Sequence, residues 1–476
     1  MWMELGNRPV RFENPAAPSA PEFPEIQSYG LKPGALSPSE TLAQSIALIA
    51  PTGAPVMTAP LVFGLVGQGC AMAYLISTFC ILLVALNINQ FARMSASPGS
   101  LYTYITDHLH PRWGVLAGWA LLIAYTGTAA AVSAGVSNYA NVILRDQFGI
   151  QAFPSFWMAL VMVLACYLAY RDVQVSARLM LYLEAASVAL ISVIAIAIIA
   201  EHGWRPDMGQ LTLQGVTPEK LRLGLVLAIF SSVGFESATS LGSEARNPLT
   251  SIPRAVTRSA ILAGLFFFIC AYAEVLGFRG DPGSMSQSGA PLHVLARKAG
   301  LPPVVGTLTD LGAVLSFFSC FLACITAAGR VLFLMGRHGA MHSVLGEAHE
   351  KNQTPHRAVL LSSIAAFLPP AIMAFKGMNP FDIYGLIGTV ATFGFVTAYI
   401  LVCAAAPLYL RSRGRLTAQS VGISVVAIFA MGSALLGSLY PVPDPPYSYL
   451  PYFYAALLLA GFSWSTIWSA RPVLAA

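Results

Sequence analysis

Long apolar stretches are the feature of this 476-residue chain that most constrains its fold. A helix needs about 20 predominantly apolar residues to cross the hydrocarbon core of a bilayer, and twelve such stretches can be drawn. They cover residues 41–66, 70–93, 113–142, 155–170, 176–200, 219–242, 255–278, 304–335, 357–375, 382–409, 417–439 and 449–469. Because bare backbone polar groups are costly in lipid, such spans fold as helices. The sequence therefore predicts an all-α integral membrane protein with about 12 transmembrane helices.

The composition excludes the other broad classes of protein. Apolar residues make up 56% of the chain and charged residues 10%, whereas an average soluble domain has about 25% charged residues. The net charge of +5 comes from scattered Lys and Arg residues, without the clustering on one face that nucleic-acid binding requires. We therefore expect membrane lipid as a partner and no nucleic acid.

Loop charges predict how the chain is oriented in the membrane. Lys and Arg are enriched in cytoplasmic loops, and most of the 26 basic residues fall on the cytoplasmic side if the N-terminus lies there. We therefore expect a protein of the cytoplasmic (inner) membrane with both termini in the cytoplasm. Residues 1–38 are rich in proline and contain no apolar signal-peptide segment, which predicts a flexible cytoplasmic tail.

Two of the predicted spans are interrupted in the middle. The first contains Pro51, Gly53 and Pro55, and the sixth is broken by the small and charged residues of 230–236, FSSVGFE. Taken singly, the interruption of the first span could be a proline kink. That of the sixth span could be a site where small residues let a neighbouring helix pack closely. Interrupted helices at matching positions of two halves, however, indicate a transporter binding site. The amide groups that a break frees, and the half-helix that begins there, suit a carboxylate ligand.

This pattern divides the chain into four parts. Residues 39–200 hold helices 1–5 as a first repeat, and residues 218–409 hold helices 6–10 as a second repeat. Residues 417–470 add helices 11 and 12, and the tail 1–38 precedes them all. The interrupted helices 1 and 6 are then the first helices of the two repeats.

Two segments carry a family resemblance. Residues 230–256 read FSSVGFESATSLGSEARNPLTSIPRAV, and residues 97–119 read SPGSLYTYITDHLHPRWGVLAGW. They resemble the sixth-helix signature and the helix 2–3 region of the amino acid–polyamine–organocation (APC) permease superfamily. The resemblance implies a five-plus-five inverted repeat with discontinuous helices 1 and 6, followed by two more helices. It also implies alternating-access transport of an amino acid or a related amine.

The resemblance further implies where a substrate binds. At the first break, the substrate carboxylate is expected to contact Ala50, Thr52, Gly53 and Ala54. This chain has Pro-Thr-Gly-Ala-Pro there, whereas relatives usually have Gly-x-Gly.

At the second break, Phe230 stands where relatives place an aromatic gate, and Tyr125 of the third helix is expected to line the wall. Residues around the break are expected to accept hydrogen bonds from the substrate amine through their carbonyls: Ser231, Ser232, Val233 and Gly234.

Ionisable residues at membrane depth are functional candidates by default. Glu236 follows the sixth-helix break, and Glu184 lies in the fifth span. Burial disfavours the charged form of a carboxyl group, so either residue can act as a proton carrier, although Glu236 can also be a structural acceptor. Glu274, Asp310 and Asp382 are near span ends, where a boundary position is expected.

A sodium ion is the alternative to a coupled proton. Many relatives carry a lysine on the fifth helix in place of a sodium ion, and Ser187 aligns with that lysine. Ser316 and Ser319 of the eighth span offer further oxygens and complete a candidate sodium-like site. Serines in membrane spans also serve as packing groups.

The functional prediction is a secondary active transporter that moves an amino acid, with a proton as the expected co-transported ion. A polyamine or other organic amine transporter, a sodium-coupled carrier and an exchanger stay open as alternatives. No cofactor or metal site is predicted, and the chain has no H-E-x-x-H, G-x-S-x-G or P-loop motif that would indicate an enzyme. A channel or a sensor also stays open, because a fold does not establish a function.

Overall fold

The computed structural model describes residues 29–213, 215–440 and 442–469, so most of the expected N-terminal tail lies outside the described residues. Within the described residues the chain forms seventeen α-helices. In chain order they are α1 (Pro38–Ile49), α2 (Ala59–Val66), α3 (Cys70–Ala92), α4 (Ser100–His108), α5 (Pro111–Phe148), α6 (Pro154–Arg171), α7 (Val173–Glu201), α8 (Met208–Leu211), α9 (Pro218–Ser232), α10 (Pro248–Gly277), α11 (Pro282–Gln287), α12 (Pro291–Lys298), α13 (Pro303–Arg337), α14 (His356–Phe375), α15 (Pro380–Ser412), α16 (Ala418–Gly437) and α17 (Leu450–Ser469).

Eleven helical segments of the described residues are long and apolar enough to cross a membrane. The first, Pro38–Ala92, has 55 residues, which is too long for one crossing at a rise of about 1.5 Å per residue. It turns at Gly67, whose φ is 55°, and α3 then returns through the membrane. Counted as two crossings, this segment brings the total to the predicted twelve, and the all-α membrane fold is confirmed.

Local sequence signals set the helix ends. Ser37 caps α1, and its hydroxyl accepts from the Glu40 amide while the Glu40 carboxylate accepts from the Ser37 amide. This reciprocal arrangement satisfies two of the amide donors that a helix N-terminus leaves free. Many of the other helices begin with proline in the first turn, including α5, α9 and α13, where the missing amide costs nothing.

The spans differ sharply in how much protein covers them. In the sixth-helix segment Pro218–Leu241, 82% of an apolar 18-residue stretch is buried, and 78% of the corresponding stretches of α13 and α15 is buried. By contrast, only 22% of such a stretch is buried in Tyr447–Ile467. The interrupted sixth helix therefore lies at the centre of the bundle with α13 and α15, and the last helix lies at its periphery.

The central helices also pack directly on one another. α5 packs against both α13 and α15, and α10 packs along α3. We call the membrane face on which α1 begins the N-terminal face, and the other the opposite face. Successive crossings alternate, so α9 and α15 begin at the opposite face and α10 begins at the N-terminal face.

Candidate functional site

The first interruption lies where the sequence predicts it. α1 ends at Ile49, and Ala50 adopts a left-handed conformation with φ 50°. The Gly53 amide donates to the Ala50 carbonyl at 2.7 Å. A five-residue π-helix, Ala54–Thr58, then leads into α2. The Tyr139 hydroxyl donates to the Val56 carbonyl in this wide turn at 2.7 Å, so α5 stabilises the interrupted backbone.

The second interruption requires a glycine. α9 ends at Ser232, and Gly234 has φ 89°, a conformation that residues with a side chain rarely adopt. The Leu48 side chain also fills the space that a Cβ atom on Gly234 would need. The chain continues as a 3₁₀ segment, Ser237–Leu241, before α10.

The two interruptions lie at the same depth and bind each other. The Ser45 hydroxyl of α1 donates to the Phe235 carbonyl at 2.7 Å and accepts from the Ala238 amide at 3.1 Å. The Ser237 hydroxyl donates to the Gln44 carbonyl at 3.1 Å. Backbone groups freed by the sixth-helix break are therefore satisfied by side chains of α1, as burial in a bilayer requires.

Aromatic rings from three helices surround the first break. The Phe230 and Tyr384 ring centroids are 5.8 Å apart, and those of Tyr384 and Phe317 are also 5.8 Å apart. A Cβ atom on Gly53 would meet both Phe317 and the Tyr384 hydroxyl. Gly53 thus leaves room for this wall, and Phe230 belongs to it.

The predicted substrate contacts are all nearly inaccessible in this conformation. Thr52 and Gly234 are at the two breaks, and the hydroxyl of Thr52 has no hydrogen-bond partner among the described residues. The Gly53 amide is occupied by the Ala50 carbonyl. Five further predicted contacts are each at most 6% exposed: Ala50, Ala54, Phe230, Ser231 and Val233. Ser232 is 5% exposed, and its hydroxyl donates to the Ala228 carbonyl.

Glu236 lies fully buried just after the second break and accepts two hydrogen bonds from phenols. Tyr125 of α5 donates to one carboxylate oxygen at 2.8 Å, and Tyr399 of α15 donates to the other at 2.5 Å. The Gly234 amide in turn donates to the Tyr399 hydroxyl at 3.2 Å. The structure therefore places Tyr125, predicted as a wall residue, on the Glu236 carboxylate, where it connects α5, the break and α15.

Glu184 has a different environment. One carboxylate oxygen accepts from the Ser316 hydroxyl of α13 at 2.8 Å, and the other has no partner among the described residues. The Ser319 hydroxyl, one turn further along α13, is also without a partner there. Ser187 instead donates to the Gly312 carbonyl at 2.8 Å. The predicted sodium-like residues thus share the interface of α7 and α13, and Glu184 belongs to the same interface.

Two carboxyl groups expected at the membrane boundary are in fact buried. Glu274 is 1% exposed and Asp310 is 2% exposed. Asp310 pairs with His293 of α12 at 2.6 Å. Asp382 lies exposed in the first turn of α15, as expected.

A buried ion pair lies between the breaks and the N-terminal face. Arg330 of α13 donates to both oxygens of Glu244, at 2.6 and 2.8 Å, and both side chains are almost inaccessible. The Glu244 carbonyl also accepts from the Leu36 amide, and the Arg246 amide donates back to Leu36. The segment before α1 is thereby attached to the segment after the sixth helix.

A cavity of about 610 Å³ lies towards the opposite face between α2, α9 and α15. Its walls are mainly apolar and include Leu61, Leu227 and Phe393, with Asp444 at the loop between α16 and α17. None of the predicted substrate contacts lines it, so it is adjacent to the interruptions and separate from them.

Comparison with known proteins now identifies the family. The sequence profile of the amino acid permease family matches residues 41–468, which is nearly the whole described chain. This chain belongs to the amino acid permease family. Its structure also resembles that of a Na⁺-coupled sialic acid symporter, with a TM-score of 0.50 and 14% identity over 86% of this chain and 91% of that one. That likeness concerns the fold alone.

Individual relatives of this permease differ in what they carry. It is 24% identical over 360 residues to the branched-chain amino acid permease BcaP of Bacillus subtilis, covering 71% of this chain and 74% of the relative. It is 25% identical over 321 residues to the low-affinity putrescine importer PlaP of Escherichia coli K12, covering 65% and 68%. Cationic amino acid transporter 4 of mouse is 22% identical over 373 residues, covering 74% and 56%.

Several side chains around the two breaks were not predicted from the sequence. Tyr384 and Tyr399 both lie in α15, fifteen residues apart, and Phe317 lies in α13. Tyrosines in the middle of an apolar span were an available signal, because a buried hydroxyl needs a hydrogen-bond partner. Their partners, however, lie on helices distant in the sequence.

Proposed function

We propose that this permease moves an amino acid across the cytoplasmic membrane by alternating access, coupled to protons, with the N-terminal face in the cytoplasm. One observation supports this most strongly: two interrupted helices meet at mid-membrane beside a buried carboxylate. Irregular backbone at membrane depth persists where it is buried or lines a pathway, and such interruptions are typical of transporter binding sites.

The substrate carboxylate is proposed to bind at the first break. The Thr52 hydroxyl is a free buried donor there, and the backbone of residues 50–52 departs from helical geometry. The side chain of the substrate would contact the wall formed by Phe230, Phe317 and Tyr384. An apolar aromatic wall favours an apolar substrate side chain, which is the argument for an amino acid with an apolar side chain.

The substrate amine is proposed to bind at the second break. The backbone of residues 231–234 leaves the helix there, so its carbonyls can turn towards a ligand. We propose that the two breaks belong to two inverted repeats, residues 39–200 and 218–409. Rocking one repeat against the other would then expose the site to each face in turn.

Glu236 is the first candidate for proton coupling. As a carboxylate it accepts from both Tyr125 and Tyr399. A protonated carboxyl group has a donor of its own, so one phenol would have to stop donating to it and accept from it instead. Loading a proton would therefore weaken a link between α5, the sixth-helix break and α15, which is what coupling to a conformational change requires.

Glu184 is the second candidate, and the same interface could hold sodium instead. A carboxylate oxygen and the Ser319 hydroxyl are unpartnered there, and sodium would need oxygen ligands of this kind. A sodium dependence of uptake that is lost in Ser319→Ala would assign the interface to sodium. A proton dependence that is lost in Glu184→Gln would assign it to a proton.

An organic amine is the alternative substrate, because the putrescine importer is as similar to this chain as the branched-chain permease. Counterflow in proteoliposomes separates the two without any ion gradient. We expect unlabelled branched-chain amino acids inside the vesicles to drive entry of labelled leucine, and putrescine inside to have no effect. Exchange of putrescine alone would assign the protein to amine transport.

A further inference from the structure

The end of α10 at the opposite face carries a buried carboxyl group that the proposed mechanism does not use. Glu274 is 1% exposed, and neither of its carboxylate oxygens has a hydrogen-bond partner among the described residues. It also takes part in none of the ion pairs found among the described residues. An ionised carboxyl group in such a place is expensive, and Gln or Leu would fill the space without that cost.

The packing of α10 on α3 shows which side Glu274 faces. The two helices run antiparallel, since Gly264 lies directly against Thr78 and the Phe267 ring is 5.8 Å from the Tyr74 ring. Two turns further along α10, Glu274 lies near the start of α3, within electrostatic reach of Cys70. This position is on the inner side of the bundle, towards the first helix, and not on the lipid side.

The groups that surround Glu274 are all neutral. Within its electrostatic reach among the described residues are Cys70 and Tyr74 of α3, Tyr139 of α5 and Cys270 of its own helix. The Cys70 thiol points at the Ala59 carbonyl of α2. Among the residues that the structure describes, none of the ion pairs supplies a cation to this carboxylate, so the neutral, protonated form fits this conformation.

Glu274 is connected to both the interrupted helices and the opposite face. Tyr74, one turn from Cys70, shares a hydrogen bond of 3.2 Å with Ser231 at the sixth-helix break. In the other direction, Glu274 is three residues from the end of α10 at Gly277. The side chain of Leu295 from α12 lies against Gly277, so α12 covers this end. A displacement of α12 would bring water to the carboxyl group.

We propose that Glu274 is a proton-binding site, which takes up one proton from the opposite face and releases it to the N-terminal face during transport, independently of Glu236. This rests on the proposed function, since it adds a second coupled proton to the same carrier. The carboxylate takes up the proton from water when α12 moves away. The carboxylic acid gives it up to water that enters along Tyr74 and the sixth-helix break once the break opens to the N-terminal face.

The experiment compares gradient-driven accumulation with exchange in the purified full-length chain in liposomes. Each coupled proton supports about tenfold accumulation per pH unit. Under an imposed gradient of one unit, we expect Glu274→Gln to lower the steady-state accumulation of the substrate about tenfold. Counterflow, which needs no gradient, should remain near that of the wild type. Glu201→Gln, an amide replacement at an exposed acid of α7, should change neither quantity.

The outcomes separate this proposal from the proposed function. If the wild type shows counterflow and proton-driven accumulation, and Glu274→Gln matches both, the proposal is overturned and Glu274 is a permanently neutral packing group. If the wild type shows no proton-driven accumulation, the proposed coupling itself fails.

Glu274→Asp keeps the proposal testable if the amide variant does not fold. It retains a titratable carboxyl group in a shortened side chain, so we expect accumulation to persist with a shifted pH dependence. A pH profile that coincides with that of the wild type would contradict a proton-binding role. Sodium-driven accumulation that is lost in Glu274→Gln would contradict it too, because the site would then bind sodium.

Discussion

At the scale of single residues, Glu236 shows how one carboxylate connects three helices. Its two acceptors are occupied by phenols from α5 and α15, and the α15 phenol also accepts from the Gly234 amide. Removing either hydroxyl leaves a buried carboxylate oxygen without its donor. Such losses cost about 1–3 kcal/mol each.

We expect Tyr399→Phe to destabilise the protein more than Tyr125→Phe. Both substitutions remove a donor to Glu236, but only the first also removes the acceptor of the Gly234 amide. Thermal unfolding in detergent measures the difference, and proton-driven uptake should fall in both variants. Tyr440→Phe, at an exposed position, is the control. Equal effects of the two buried substitutions would contradict the network.

Gly234→Ala is expected to abolish transport. The substitution strains a backbone with φ 89° and pushes into the Leu48 side chain, and strain at such a position costs about 1–3 kcal/mol before the clash is added. Gly414 has φ 64° with open space around it, so Gly414→Ala isolates the strain. Uptake that survives in Gly234→Ala would refute this assignment, and its loss in Gly414→Ala as well would show that backbone strain alone is sufficient.

At the scale of elements, the ion pair between Arg330 and Glu244 attaches the C-terminal end of α13 to the segment after the sixth helix. Breaking a buried pair by removing one partner costs about 3–5 kcal/mol, because it leaves an uncompensated charge. We expect Arg330→Met to lower the free energy of unfolding by about this amount, and the double substitution Glu244→Gln/Arg330→Met to recover part of the loss.

The same ion pair also predicts how accessible the breaks are from the N-terminal face. Chemical labelling of a cysteine introduced at Ser240 should become faster from that face in Glu244→Gln. Unchanged labelling would show that the pair does not close this face.

A second element, α12, is held to α13 by His293 and Asp310. The hydrogen bond to Asp310 raises the pKa of His293 above its ordinary value of about 6.5, against the opposing effect of burial. The charges of Asp310 and Asp146 also raise this pKa, and Arg297 lowers it slightly. A raised folded-state pKa stabilises the structure fully below the unfolded value, and this stabilisation is lost as the pH rises through the folded value. We therefore expect α12 to become less protected at alkaline pH.

Hydrogen exchange measures that loss. Amide protection in α12, corrected for the intrinsic pH dependence of exchange, should fall as the pH rises above neutrality in the wild type. His293→Asn should have low protection at every pH, so its profile should be flat. A wild-type profile that is also flat would show that the His293 charge does not hold α12 in place.

The sequence predicts elements well and their mutual contacts poorly, for a physical reason. Backbone in lipid must satisfy its own hydrogen bonds, so apolar length and the positions of Pro51, Gly53 and Gly234 were sufficient to locate the spans and both interruptions. The partners of Glu236 lie 111 and 163 residues away, and no local pattern encodes such a contact. For the same reason the burial of Glu274 under α12 was not predicted.

At the scale of the whole molecule, the buried central helices and the exposed last helix form a permease whose proposed substrate contacts are nearly inaccessible in this conformation. The breaks, the aromatic wall and Glu236 lie together among the central helices, and the Arg330–Glu244 pair lies on the N-terminal side of them. A proton gradient can act on such an assembly only if a buried carboxyl group is loaded from one face and unloaded to the other.

Uptake of labelled leucine into liposomes that contain the purified protein is the measurement that bears most on proton-coupled transport. Under an inward proton gradient of one pH unit, we expect leucine to accumulate about tenfold or more above equilibrium, since each coupled proton supplies that factor. A protonophore should abolish it, and the Glu236→Gln substitution should lower it by the share that one coupled proton supplies, about tenfold. Uptake that stops at equilibrium, or that follows a sodium gradient and ignores the proton gradient, would contradict proton-coupled transport.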